Sequence, residues 1–370
     1  MPDRQTTTGP GKDGMLIFLG LLAVVCASGV GRAQQGACTV AVSVVTVLDP
    51  YPGEWAASSA SKMRLPPHPL YQGPQLQYIL DKEAAARNGK PSLPTVYIPA
   101  QALAPEDLIV RDGGLRIPVV SLQTDRGPRR IVLLVQNGTG TLGRGQAAQA
   151  TAILSRARPE DAFALLAAGG PRLALPFGSG RDELRAAIEE LSRPKPGGPK
   201  GEDVLDALLE TTTWFGSPQA GDAILLLGDI GRQPRRRLSQ LRSALISRRV
   251  RLFSLGGAYT VEGTDLYTEW SSPLLTISEG SGGEWESVGN LGPKAVDESL
   301  EMWEYEAKAL YEVATFAYIL RLARTGPHVR IELSQQAWNR LLWPRLSYPR
   351  PLPACPPPTA AASPEGQKTE

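Results

Sequence analysis

The residues best placed to do chemistry lie in one short stretch, Asn137-Gly138-Thr139-Gly140-Thr141-Leu142-Gly143. Its three glycines spell G-x-G-x-x-G, the spacing with which a strand-to-helix turn lets the backbone approach a pyrophosphate. A dinucleotide turn also needs a carboxylate about 20 residues on, at the end of the second strand, for a ribose hydroxyl. The strand expected there, Ala162 to Leu166, runs out into Ala167-Ala168-Gly169-Gly170 and offers no acid. A turn that merely joins strand to helix is the competing reading. Elsewhere the reactive residues are scattered. His68 and His328 are far apart in the chain, which argues against a histidine-based zinc site. No Ser-His-Asp or Cys-His arrangement supplies a nucleophile with a base within reach. The pairs Glu189-Glu190 and Asp222/Asp229 have no setting that favours acid–base work. Asn137-Gly138-Thr139 is formally a glycosylation sequon, and Arg235-Arg236-Arg237 with Arg242, Arg248 and Arg249 reads as a solvated basic helix face. The chain is therefore expected not to be an enzyme.

The elements that must hold the glycine stretch are legible around it. Ile131 to Val135 is five apolar residues, too short for a buried helix and rich in branched side chains, as in a central strand covered on both faces. Downstream, Ala147 to Ala157 reads as helix, Ala162 to Leu166 and Arg172 to Pro176 as strands, and Arg181 to Ser192 and Asp203 to Thr212 as helices. Ala223 to Leu227 (AILLL) is another continuous apolar strand, followed by a helix over Arg235 to Arg248 and a strand over Val250 to Leu255. Strands alternating with helices of this length predict βαβ units and a parallel sheet. The glycine stretch then lies at the carboxyl edge of that sheet, where open α/β folds bind ligands.

Upstream, Thr39 to Leu48 is a strand rich in β-branched residues, and residues 50–94 form a proline-dense excursion with one helical patch, Gln77 to Asn88. Short strands are expected at Thr95 to Ile98, Asp107 to Arg111 and Leu115 to Leu122, with Asp112-Gly113-Gly114 as a hairpin turn. Towards the end, Ser278 to Gly283 is expected as a turn, Ala295 to Leu310 as a helix and Val313 to Leu322 as a strand. His328 to Leu333 is expected to pair with that last strand.

Composition narrows the class. With 39 basic and 37 acidic side chains the net charge is +2, which gives no electrostatic case for nucleic acid. Residues 1–33 read as a secretory signal: Arg4 and Lys12 precede an apolar run, Met15 to Cys26, and Gly31-Arg32-Ala33 offers small residues for cleavage. The run is short of the roughly 20 residues that span a bilayer, so any membrane tie would come through an uncleaved signal anchor. Secreted or periplasmic location follows. Of the cysteines, Cys38 and Cys355 would remain after cleavage; they either pair in the oxidising compartment or stay as thiols near loose ends.

Taken in order, these pieces resemble the bacterial VWFA-related domain family, secreted proteins with a von Willebrand factor A-type core. Ala102-Leu103-Ala104-Pro105-Glu106-Asp107-Leu108-Ile109-Val110-Arg111-Asp112-Gly113 is similar to the family's Gly-Leu-x-x-x-Asp-Phe-x-Val-x-Glu-Asp-Gly segment. Asn137-Gly138-Thr139-Gly140-Thr141 resembles its Asp-x-Ser-x-Ser cation motif. Gly201 to Leu208 resembles its second ligand loop, and Ile224 to Gly228 followed by Asp229 resembles the strand that ends in Asp-Gly. Gly280-Ser281-Gly282-Gly283, Tyr318-Ile319-Leu320 and Arg345-Leu346-Ser347-Tyr348 echo its later signatures.

The resemblance implies a cation held by Asn137, Thr139, Thr141, Glu202 and Asp229. Only Asp229 keeps the family's residue type, and the register leaves Gln136 as an alternative to Asn137. Hard cations want anionic oxygen ligands, so the motif is degenerate and no cofactor is expected, Mg²⁺ being the candidate if there is one. The expected fold is α/β: a Rossmann-like von Willebrand A-type core, mostly parallel sheet flanked by helices, with a small β-rich accessory region. The expected organisation is a signal peptide over 1–33, the accessory region over 34–126, the core over 127–325, a strand extension over 326–350 and a disordered tail over 351–370. The expected function is an exported, non-enzymatic module that binds or scaffolds a protein partner, without nucleic acid. The alternatives are a nucleotide-binding enzyme using the Gly138 to Gly143 loop, or a purely structural envelope protein.

Overall fold

A computed structural model describes residues 38–48, 96–136, 140–168, 173–193, 201–231, 233–257, 273–288, 296–323, 328–341 and 344–352. The signal segment, the proline-dense excursion and the tail from residue 353 lie outside the described residues.

Strand β6 (Arg130–Gln136) is the hub. Its neighbours are β7 (Ala162–Ala168) on one side and β9 (Ala223–Leu227) on the other, both parallel, with Ile131 opposite Phe163 and Ala223. Beyond β9 the sheet continues, again parallel, through β10 (Arg251–Gly257) to β11 (Trp285–Val288). Beyond β7 it ends with the short antiparallel β8 (Leu173–Leu175). The order β11-β10-β9-β6-β7-β8 makes a six-stranded, mostly parallel sheet with β6 central.

The alternation along β6 decides what covers each face. Ile131, Leu133 and Val135 pack with α1 (Gly140–Arg156), α2 (Arg181–Leu191) and α6 (Val296–Thr315). Val132 and Leu134 face α3 (Gly201–Thr211), α4 (Arg235–Ser247) and α5 (Pro273–Ser281). All five side chains are fully buried, which is why the run shows no polar alternation. At roughly 1.5–3 kcal/mol for each large aliphatic side chain removed from water, these two layers are the main source of cohesion.

A second core lies under the remaining strands. β1 (Cys38–Leu48) pairs antiparallel with β2 (Val96–Pro99), β12 (Ala317–Leu322) and β14 (Arg345–Ser347), and β12 pairs in turn with β5 (Val119–Asp125). A three-stranded sheet of β13 (Val329–Leu333), β3 (Leu108–Asp112) and β4 (Leu115–Ile117) packs against it, with a short helix α7 (Gln335–Arg340). Their shared core contains Val40, Val42, Leu108, Val110, Tyr318, Leu320 and Ile331. Pairing of the early strands with the late ones is thus as expected, and Ala317 stands opposite Asp125 at the join.

Several elements differ from expectation. α1 starts at Gly140, not Ala147, because glycine's poor helix propensity hid a first turn that tertiary packing imposes. Ser278 to Ser281 end helix α5 rather than making a turn. Residues 313–315 close α6, so β12 begins only at Ala317. The expected strand Leu115 to Leu122 is split at Pro118, which has no N–H to give to a ladder. β13 pairs with β3 and not with β12. Helix α7, not expected from the sequence, is announced by its cap: Ser334 Oγ accepts from Ala337 N at 3.2 Å.

Candidate functional site

The chain builds β6, β7 and β8 to one side and then returns to build β9, β10 and β11 on the other. The order therefore reverses between β6 and β9, and the carboxyl ends of these two strands flank the crevice that open α/β sheets use for ligands. Gln136 closes β6 there, and Gly228-Asp229 follow β9.

These residues are in contact. The Asp229 backbone N–H donates to Gln136 Oε1 at 2.9 Å. Gly228 has φ of +145°, and a Cβ built there would lie 2.4 Å from Gln136 Cβ. Only glycine lets the Gln136 side chain cross that position. The Gly228 N–H meanwhile donates to Leu255 O at 3.1 Å, which ties the turn to β10. Asp229 Oδ1 accepts from Gly231 N at 3.1 Å. Burial raises the Asp229 carboxyl above the usual range, opposed by the backbone N–H groups of Gly231 and Ile230. Nearby, Gln233 Nε2 donates to Ile230 O at 2.7 Å, while its Oε1 is buried without a partner.

Of the residues expected to hold a cation, Asp229 is the one whose side chain is described. Asn137 and Thr139 lie outside the described residues. Thr141 and Glu202 sit in the first turns of α1 and α3, and their side chains are outside the description. The α3 helix ends at Thr211, and the turn after it reaches Phe215, whose carbonyl accepts from Arg130 at the start of β6. Its first turn accordingly lies towards the carboxyl edge, on the same rim as Asp229. Asp203, beside Glu202, is exposed. Gln136, which the sequence offered only as an alternative register, is the side chain brought against Asp229.

Among the described residues, the donors at this rim fit a divalent cation poorly. Gln136 Oε1 is committed to a backbone N–H, and Asp229 Oδ1 to another, so one carboxylate and one neutral amide stand where a hard cation wants anionic oxygen. Among the described residues no group of three His, Cys, Asp or Glu could hold a metal ion. Nor do the described residues at the end of β7, which stops at Ala168, include a carboxylate to serve as a dinucleotide's ribose partner. Cys38 is disulfide-bonded, and the other two cysteines, Cys26 and Cys355, lie outside the described residues. No helix among the described residues is long and apolar enough to cross a membrane.

No protein-family model and no curated protein matches the sequence. Solved structures similar to the chain are von Willebrand factor A-type domains, the type the sequence motifs resemble. One is the von Willebrand factor type A protein from Catenulispora acidiphila, at 14% identity and TM-score 0.34, covering 56% of this chain and 47% of that one. Another is the conserved hypothetical protein BatB from Bacteroides thetaiotaomicron, at 17% identity and TM-score 0.32, covering 49% and 100%. A third is the manganese-loaded TRAP protein of Plasmodium vivax, at 14% identity and TM-score 0.37, covering 57% and 80%. The chain thus spans about half the length of the Catenulispora protein.

Proposed function

We propose that this chain is an exported, non-enzymatic binding module that engages a protein partner through the carboxyl rim of its six-stranded sheet, with a cation site lost or much weakened. The observation that carries the reading is the Gln136–Asp229 contact at the switch point. A neutral amide is packed where a cation-dependent rim would need charge, so the rim offers hydrogen-bonding surface rather than a coordination shell. The absence of a nucleophile–base pair in the sequence supports the non-enzymatic part, and the apolar segment over Met15 to Cys26 supports export.

Two measurements test it. A photo-crosslinking residue at Asp203 or Arg236, both exposed near the rim, should capture one defined protein from intact cells, while the same probe at Glu183, exposed on α2 near the opposite edge, should not. Equal capture from both sites, or from neither, overturns the rim assignment. Calorimetry with Mg²⁺ and Mn²⁺ should show weak or no binding to the wild-type chain. Gln136→Asp should strengthen binding more than Asn137→Asp, each combined with Glu202→Thr, because Gln136 is the side chain set against Asp229. Tight binding by the wild type sinks the degenerate-site reading, and micromolar affinity for NAD would favour a nucleotide enzyme instead.

A further inference from the structure

A second surface, away from the rim, gathers positive charge that the fold does not neutralise. Antiparallel pairing sets Arg330 of β13 directly opposite Arg111 of β3, and Arg111 directly opposite Arg116 of β4. All three side chains are exposed, on the face turned away from the core that Ile331, Val110 and Ile117 fill. Side chains so placed have Cβ atoms about 4.5–5.5 Å apart, and like charges there are destabilising. Among the described residues none of the three forms a salt bridge, whereas Arg129, Arg130, Arg158, Arg340 and Arg345 each have a carboxylate.

The ladder leads into a cleft of about 590 Å³ between β13, helix α4 and the segment Tyr348–Leu352. Arg330, Arg242 and Arg350 line it with His328, against a single carboxylate, Glu332. Arg242 donates to the Arg350 carbonyl at 2.7 Å, and its Nε is buried without a partner. Arg350 lies over the Tyr348 ring at 4.5 Å. Neither arginine is in a salt bridge among the described residues. Glu332, exposed two residues along on the same face of β13, is one carboxylate against several arginines, so most of the compensating charge is left to a ligand.

We propose that this cleft and its arginine ladder bind an extended acidic segment of a partner protein, its carboxylates paired with Arg242, Arg330, Arg350 and Arg111. Guanidinium forks match carboxylates with two parallel hydrogen bonds. β13 is the edge strand of its sheet, but Tyr348 Oη already accepts from Ile331 N at 3.0 Å. Backbone strand addition is blocked at that position, so recognition falls to side chains. Nucleic acid is disfavoured because the one aromatic ring in the cleft is buried under Arg350, leaving no face for a base to stack on. A membrane is disfavoured because Arg242, Arg330 and Arg350 line a recess and Leu115 is the one strongly exposed apolar side chain beside the ladder. This site is independent of the carboxyl rim and stands or falls without it.

Fluorescence anisotropy of a labelled octaglutamate peptide with the full chain at low salt tests the proposal. Binding should weaken as salt rises and fall by at least about tenfold in Arg330→Glu, since a like charge now faces the ligand. Arg330→Gln should lie between, and Arg185→Glu on the exposed face of α2 should leave binding unchanged. Thermal melts of each variant separate lost binding from lost folding; both Arg330 changes are at an exposed position and relieve the repulsion with Arg111, so they should melt at or above the wild type. No peptide binding, or binding indifferent to Arg330→Glu, overturns the proposal. Tighter binding of oligothymidylate or of phosphatidylglycerol vesicles, competing with the peptide, also overturns it and reassigns the cleft.

Discussion

At the scale of single residues, the rim is held by one amide and one carboxyl group whose protonation the fold disfavours losing. Burial lifts the Asp229 pKa above its unfolded value near 3.8. A carboxyl group raised in the folded state stabilises the fold while protonated, below its unfolded pKa, and that contribution is lost as pH rises through the folded value. At neutral pH the ionised Asp229 therefore weighs against stability. Asp229→Asn keeps an oxygen to accept from Gly231 N and removes the buried charge. Its melting temperature should exceed that of the wild type at pH 7, with the gap narrowing towards pH 4. A lower melting temperature at pH 7 would mean that the charge is balanced by a group outside the described residues. None of this was readable in the sequence. The type of Asp229 was visible, but the partner of its backbone N–H depends on the register of β6 against β9, which brings together residues 93 positions apart.

Elements show why some of the fold was legible and some was not. The central strand was readable because burial on both faces leaves no polar residue in Ile131 to Val135, and AILLL at Ala223 to Leu227 repeats the pattern. Helix α1 was not fully readable, because its first turns are rich in glycine. The structure supplies a packing reason for one of them: a Cβ on Gly145 would fall 1.6 Å from Trp303 Cζ3. The indole of α6 packs closely against the backbone of α1 at Gly145, and Trp303 is almost completely buried with its Nε1 unpartnered. In isolation, glycine to alanine favours a helix by about 1 kcal/mol. Here the clash outweighs propensity, and Gly145→Ala should cost about 1–3 kcal/mol, or more if the ring is expelled. Urea unfolding followed by tryptophan fluorescence checks both the loss and any exposure of Trp303. Unchanged or increased stability would show that α6 can slide away without cost. β13 was read correctly as a strand, but its partner was not, because alternation reports which face is buried and not which strand lies alongside.

At the scale of the whole molecule, the two cores are joined by buried arginines at the lower end of the sheet. Arg129 donates to Asp125 at 2.9 Å and to Thr315 O at 3.3 Å, and Arg251 donates to Ala314 O at 2.8 Å and to Ser43 Oγ at 3.2 Å. Both reach the carbonyl end of α6, where cations are favoured. Burial, with Arg129 close by, pushes the Arg251 pKa down to about 9. Asp125 responds in the other sense: burial works against it, yet the Gly127 N–H and the Arg129 guanidinium bring its pKa below the usual value. Removing one member leaves buried groups unpaired, so Arg129→Ala should cost more than about 2 kcal/mol. Because a depressed carboxyl stabilises above its unfolded pKa and loses that contribution as pH falls through the folded one, the cost of Arg129→Ala should shrink in acid. Denaturant titrations at pH 7 and pH 3 measure it; a cost that is small or independent of pH would place the coupling elsewhere. The junction had no sequence signature, since nothing around Arg129 or Arg251 in the sequence tells a buried guanidinium from a solvated one.

The register of Ala317 against Asp125 has a consequence in time. Those two residues are direct neighbours across a ladder, yet the whole α/β core is threaded between them. A ribosome adds about 5–20 residues per second, so β1 and β5 emerge many seconds before β12, the strand that both must pair with. During that wait the βα units from β6 to β10 can form their local contacts, which are near in sequence, while one face of the core awaits α6 and the outer sheet has nothing to complete it. The accessory strands are the last to find shelter, and their exposed, branched edges are the part of a newborn chain most in need of a chaperone or of delayed release.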